Sequence, residues 1–240
     1  MTNIGTRLAR LEVRRAFTAT ARGFDTARDA VPEIWSMRLS LLGAILAVPA
    51  IASLLIPALA AHSPAHIFSF AAYGAGTLSM FLASAAFHSR AGHKRGFLKG
   101  LDYCAIAFLL AGSFTPYCTI ALRTTLGYWV LAFIWTAALI AIRLRISRPD
   151  LSKWTFISLY LSVGWFGALV AHPVLNAIGT QGAGLTVLAG TIYTVGTLVF
   201  NRNEAEVEPA GFGQHEIWHL FIIGGAVIQF LVLRLYMMPA

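Results

Sequence analysis

Seven apolar runs set what this chain can fold into: residues 39–61, 67–88, 101–122, 126–142, 154–175, 184–200 and 214–237. A helix of about 20 mostly apolar residues crosses the hydrocarbon core of a bilayer. The fourth and sixth runs sit at the short end of that range. Lipid offers no partner for a bare peptide group, so each run must be helical to satisfy its own backbone. Composition agrees, since 58% of the residues are hydrophobic and only 12% are charged. A soluble domain carries about 25% charged residues. An ordinary soluble enzyme, a disordered chain and a disulfide scaffold are therefore excluded. The expected fold is an all-α, seven-transmembrane helix bundle over residues 38–240. Residues 1–37 are Arg-rich and weakly amphipathic, and read as an interfacial segment. No apolar core of signal-peptide type precedes Trp35.

Charge gives the expected orientation. The net charge is +8, but the basic residues alternate with the apolar runs. That pattern points to anionic lipid headgroups and not to nucleic acid. The alternate segments that include the N-terminus hold sixteen Lys and Arg, and the opposite side holds only Arg123 and Arg234. The positive-inside rule then places the N-terminus in the cytoplasm and the C-terminus outside. No apolar run contains a lysine, which removes a retinal-type Schiff base. Cys104 and Cys118 stand 14 residues apart in one run, roughly 21 Å along a helix, too far for a disulfide.

Ionisable groups inside a membrane are costly and mark function by default. Eight of the ten acids, Glu33 among them, fall in the segments assigned to the cytoplasm, leaving Asp102 and Glu216 at the starts of the third and seventh runs. His88 ends the second run, and His215 and His219 open the seventh. The orientation brings all five to one membrane level, although no histidine was used to derive it. His215 and His219 are four residues apart and share one helix face. With His88 they form a three-imidazole set that suits zinc with an open fourth position. Zinc lowers the pKa of bound water to about 7. Asp102 is then a candidate to orient that water or take its proton. Ser84, one turn before His88, is a candidate hydrogen-bond partner. The plainer roles are an N-cap for Asp102 and helix packing for Ser84. His62, His66, His93 and His172 read as solvated or interfacial.

His215-Glu216-Ile217-Trp218-His219 also matches H-E-x-x-H, in which the acid serves as the base of a zinc protease. An intramembrane metalloprotease is therefore a rival reading. The wider order is Ser84-x-x-x-His88, Leu101-Asp102, Ala111-Gly112-Ser113-Phe114-Thr115-Pro116, Ile192-Tyr193-Thr194-Val195-Gly196 and His215-Glu216-Ile217-Trp218-His219. This set, from about residue 38 to 237, resembles the hemolysin III family. That family belongs with the progestin and adipoQ receptors, including the adiponectin receptors. The resemblance implies seven helices, a cytoplasmic N-terminus and zinc on His88, His215 and His219. It also implies Asp102 beside the zinc water and Ser84 in the same site. Animal receptor members lack an acid between the paired histidines, which argues against Glu216 as the base. Phe87 and Tyr103 depart from many bacterial members, which carry Tyr and His there.

The expectation is a zinc-dependent hydrolase of a lipid amide or ester, entered from the inner leaflet of a bacterial inner membrane. The alternatives are a non-catalytic sensor of lipid composition with structural zinc, and a cytolysin. No amphipathic β-ribbon is apparent to support the cytolysin.

Overall fold

The computed structural model describes residues 33–90, 95–148, 151–200 and 212–239, and the expected interfacial segment lies almost wholly outside them. Every regular element among the described residues is helical. The α-helices are α1 (Ile34–Ala60), α2 (Pro64–His88), α3 (Arg95–Pro116), α4 (Thr125–Ser147), α5 (Lys153–Phe166), α6 (Ala171–Phe200) and α7 (Gln214–Tyr236). Each packs on the next in chain order, and α7 returns to α1, which closes a ring.

Local chemistry sets the element ends. Pro64 occupies the first turn of α2, where its missing N–H costs nothing. The Thr124 side chain caps α4 by accepting from the Gly127 N–H at 3.2 Å. Pro116 cannot donate to an α-helical ladder, and α3 passes there into a π-helical stretch, Tyr117–Leu122. Arg123 then ends the turn in the left-handed region at φ 44°.

Packing is inverted relative to a soluble protein. Large apolar side chains face outward: Ile45 is 67% exposed, Trp129 71% and Leu169 72%. Ser36, Ser40, Ser69 and Thr115 are fully buried. Small residues let helices approach closely where no water drives them together. A Cβ on Gly112 of α3 would stand 2.5 Å from the Ala72 carbonyl oxygen of α2. A Cβ on Gly76 of α2 would stand 2.9 Å from the Leu109 Cα. These two glycines bring α2 and α3 together.

Among the described residues, six stretches are long and apolar enough to cross a membrane. Five correspond one to one with the expected runs. The runs expected at 154–175 and 184–200 lie within one stretch, Trp154–Val199, of 46 residues. Gly167–Val170 form a 3-10 turn between α5 and α6, and Gly179 breaks α6 at φ 72° and ψ 174°. The fourth span is not short: α4 has 23 residues and continues through Arg143 and Arg145. The helix stays inside the fold there because the Arg145 guanidinium lies 4.4 Å from the Tyr103 ring centroid and 5.2 Å from that of Phe156. The first helix also starts before the expected boundary at 37/38, which brings Ser36 into α1. Cys104 and Cys118 are free thiols.

Candidate metal centre

His88 is the last residue of α2, and His215 and His219 lie in the first two turns of α7. Their rings form a near-equilateral triangle, with centroids 4.8, 5.0 and 4.9 Å apart. One ligand nitrogen from each lies within 4.8 Å of the other two, close enough to hold one metal ion. The Nε2 atoms of His88 and His215 are 3.3 Å apart. Nitrogen ligands at 2.0–2.1 Å from a tetrahedral ion stand about 3.3–3.4 Å apart, so this edge already has the right length. His219 supplies a second test of fit. It is buried, and its Nε2 has no hydrogen-bond partner among the described residues. A buried polar atom with no partner is costly, and a metal ion would satisfy it.

The opposite nitrogens of His219 and His88 each face a polar neighbour on α1 or at its N-cap. The His219 Nδ1 lies 3.4 Å from the Ser40 hydroxyl. The His88 Nδ1 lies 2.7 Å from Glu33 Oε2, a close polar contact without linear hydrogen-bond geometry. The Glu33 backbone N–H donates to the His88 carbonyl at 3.0 Å. The same Glu33 oxygen lies 3.8 Å from the His215 Nε2. Glu33 is therefore a buried neighbour of the cluster and not a solvated loop acid.

Asp102, near the start of α3, faces the Ser84 hydroxyl and the His88 imidazole. Ser84 is buried and accepts from Ser40 at 3.1 Å. Glu216 has a different job. Its Oε1 accepts from the Ser36 hydroxyl at 2.6 Å, and its Oε2 accepts from the Gly213 N–H at 2.8 Å. These bonds tie the first turn of α7 to its N-cap and to α1. Both carboxylate oxygens are thus engaged away from the histidine nitrogens, and nothing in the geometry favours Glu216 as the base of an H-E-x-x-H protease.

Among the described residues, His62, His66 and His172 do not join the centre. His62 lies in the turn between α1 and α2, exposed, at φ 49°. His66 accompanies Ser63, with Nδ1 and Oγ 2.6 Å apart, and packs on the Phe70 ring. His172 is in α6, and His93 lies outside the described residues.

Sequence reasoning missed Glu33, Ser36 and Ser40. Their spacings of three and four residues put them on one face of α1. Two serines and an acid at these spacings mark a polar stripe at the mouth of an apolar helix, but the stripe does not say what packs against it.

Comparison with known proteins decides the family. The model for "Haemolysin-III related" proteins matches residues 31–230. The chain belongs to this family. It is 31% identical to "Hemolysin-3" of Bacillus cereus over 201 residues, covering 82% of this chain and 88% of that protein. It is 30% identical to "Hemolysin-3 homolog" of Bacillus subtilis (strain 168) over 198 residues, covering 81% and 89%. The match begins at residue 31, so Glu33, Ser36 and Ser40 fall inside the family's own region. With six apolar spans among the described residues and this membership, the chain is a multi-pass integral membrane protein.

Proposed function

We propose that this chain is a membrane-embedded zinc hydrolase acting on a lipid amide or ester. The observation that carries the reading is the placement of Asp102, beside Ser84 and His88, at a three-histidine cluster. No fourth His, Cys, Asp or Glu joins that cluster among the described residues. Three imidazoles with an open position suit catalytic zinc, whereas a structural site closes with a fourth protein ligand. His88, His215 and His219 hold the ion. Zinc, when bound, polarises an acyl carbonyl and lets water act as a nucleophile near neutral pH. The Asp102 carboxylate takes the proton of the attacking water and passes it to the departing amine or alcohol. Ser84 orients that carboxylate through its hydroxyl.

The substrate class follows from the surroundings. The outer faces of the helices are apolar, so a molecule reaching the cluster sideways comes from the lipid phase. Trp154–Val199 reads best as two crossings, because its 46 residues amount to about 69 Å of helix against a core of about 30 Å. Gly179 supplies the break. On this reading the chain makes seven crossings of a bacterial inner membrane, and the one-sided basic segments support an inside N-terminus, an outside C-terminus and a cluster at the cytoplasmic leaflet.

The test is metal content by mass spectrometry on detergent-purified protein, followed by hydrolysis of lipid amides and esters. One zinc per chain, with turnover that Asp102→Ala abolishes while zinc stays, is the expected result. Zinc without turnover on any lipid would replace the hydrolase with a non-catalytic regulator of lipid composition. No zinc in a folded protein would overturn the reading altogether.

A further inference from the structure

We infer that Glu33 is a positioning residue of the metal centre: α1, which contributes no ligand, sets how tightly the ion is held. The inference rests on the zinc reading above.

Five contacts carry it. Glu33 Oε2 lies 2.7 Å from the His88 Nδ1 and 3.8 Å from the His215 Nε2. Ser40, two turns further along α1, lies 3.4 Å from the His219 Nδ1 and 3.1 Å from Ser84. Ser36, between them, holds Glu216 in the first turn of α7. One face of a single helix therefore touches all three histidines, through Glu33 or Ser40, and also meets Ser84 and Glu216.

Each contact has a physical consequence. An imidazole binds a metal through the nitrogen that carries no proton, so a partner on the other nitrogen fixes the tautomer. A carboxylate at the His88 Nδ1 favours the proton there and leaves the Nε2 lone pair inward, 3.3 Å from its counterpart on His215. An outer carboxylate also makes the ligand more basic. The Ser40 hydroxyl donates toward the Ser36 carbonyl and Ser84, so its oxygen is left to accept from the His219 Nδ1 side, the tautomer that leaves the His219 Nε2 as the bare, buried atom already noted. Charge adds to this. Three imidazoles bring no charge of their own to offset a divalent ion in a low-dielectric bundle, and Glu33 sets a carboxyl group against two of them. The Glu33 backbone bond to the His88 carbonyl fixes the register of the contact, so the carboxylate needs no large rearrangement to stay in place.

The experiment measures zinc affinity of the full chain in detergent by competition with a chromophoric chelator, and the visible absorption bands of the cobalt-loaded protein. Glu33→Ala is expected to weaken zinc about 10–100-fold, the usual cost of losing an outer-shell partner, and to shift the cobalt bands. Glu33→Gln keeps an acceptor without the charge, and its loss falls between native and Ala. Leu41→Ala, a lipid-facing change on the same helix, should leave both readouts unchanged. If Glu33→Ala fails to fold, the isosteric Gln variant decides. Native zinc affinity and native cobalt bands in folded Glu33→Gln and Glu33→Ala would overturn the inference while sparing the zinc reading. A native chain that binds no zinc would overturn both.

Discussion

The chain carries two pairs of histidines four residues apart, and among the described residues only one of them joins a cluster that could hold a metal ion. His215 and His219 lie on an unbroken helix with their rings 4.9 Å apart and His88 completing the triangle. His62 and His66 have the same spacing, but Pro64 separates them and starts a new helix, leaving His62 in the preceding turn. His66 is committed to Ser63 and Phe70. The spacing is therefore only a precondition. What makes a site is continuity of the helix, a third ligand from a neighbour, and a second layer that points each ring inward. The His88 end has Glu33, Ser36, Ser40, Ser84 and Asp102 for that layer.

The sharpest way to break this comparison is to remove one histidine from each pair. His215→Ala should take the chain from about one metal ion to almost none, since a two-imidazole remnant cannot hold zinc through purification. His66→Ala should keep the full content. Mass spectrometry of purified protein reads both. Equal metal in the two variants would mean that the triangle is a polar packing cluster.

A finer cut separates holding the ion from using it. Asp102→Asn should lower hydrolysis of a lipid amide by about 10²–10⁴-fold, the range for a lost general acid or base, while the metal content stays. Thr119→Ala, which removes a buried hydroxyl from the polar cluster at the opposite end of the bundle, should leave turnover near native. Loss of zinc in Asp102→Asn would instead make this acid part of the holding layer, alongside Glu33.

These contrasts also show what could be read in advance. The histidine triangle was legible because two independent regularities met in it. The alternation of basic segments fixed which helix ends share a level, and the 3.6-residue period put His215 and His219 on one face. Asp102 and Ser84 followed from the same two rules. Glu33 was not legible, because counting charges by segment assigns every acid before the first apolar run to solvent. Its burial depends on the end of α2 and the start of α7, contacts that no local pattern encodes. The length of α4 was misjudged for a related reason. Arg143 and Arg145 look like a loop in sequence, yet Arg145 rests against Tyr103 and Phe156 from other helices. The break in α6 at Gly179 is a backbone event, since that glycine's φ and ψ are open to almost no other residue.

The two ends share the frame formed by α2 and α3, and that frame can be strained at one point. Gly112→Val would push a branched side chain against the Ala72 carbonyl, where even a Cβ would stand at 2.5 Å. Backbone cannot yield as a flexible side chain can, so α2 and α3 must part. Overpacking of this kind costs about 2–3 kcal/mol, visible as a lower unfolding temperature in detergent. Gly190→Ala, where a Cβ meets nothing within 4 Å, should be neutral or slightly stabilising. If the Gly112 variant also weakens zinc binding, the spacing of α2 and α3 governs the centre. Unchanged zinc affinity would show that α1 and α7 alone hold His88 in place.

The smallest effect compares the two serine partners directly. Ser36→Ala removes the 2.6 Å bond to Glu216 and leaves a buried carboxylate oxygen short of a donor. That costs about 1–2 kcal/mol and loosens the first turn of α7, which carries both His215 and His219. Ser63→Ala removes a partner from His66 where Ser63 is only half-buried and solvent or headgroups can replace it. Its cost should stay below about 1 kcal/mol. Unfolding temperatures with and without added zinc separate the two. Zinc should recover part of the loss in Ser36→Ala, because binding energy offsets a weakened ligand helix, and none of it in Ser63→Ala. Equal recovery in both would mean that the metal stabilises the whole bundle rather than the end at which its ligands sit.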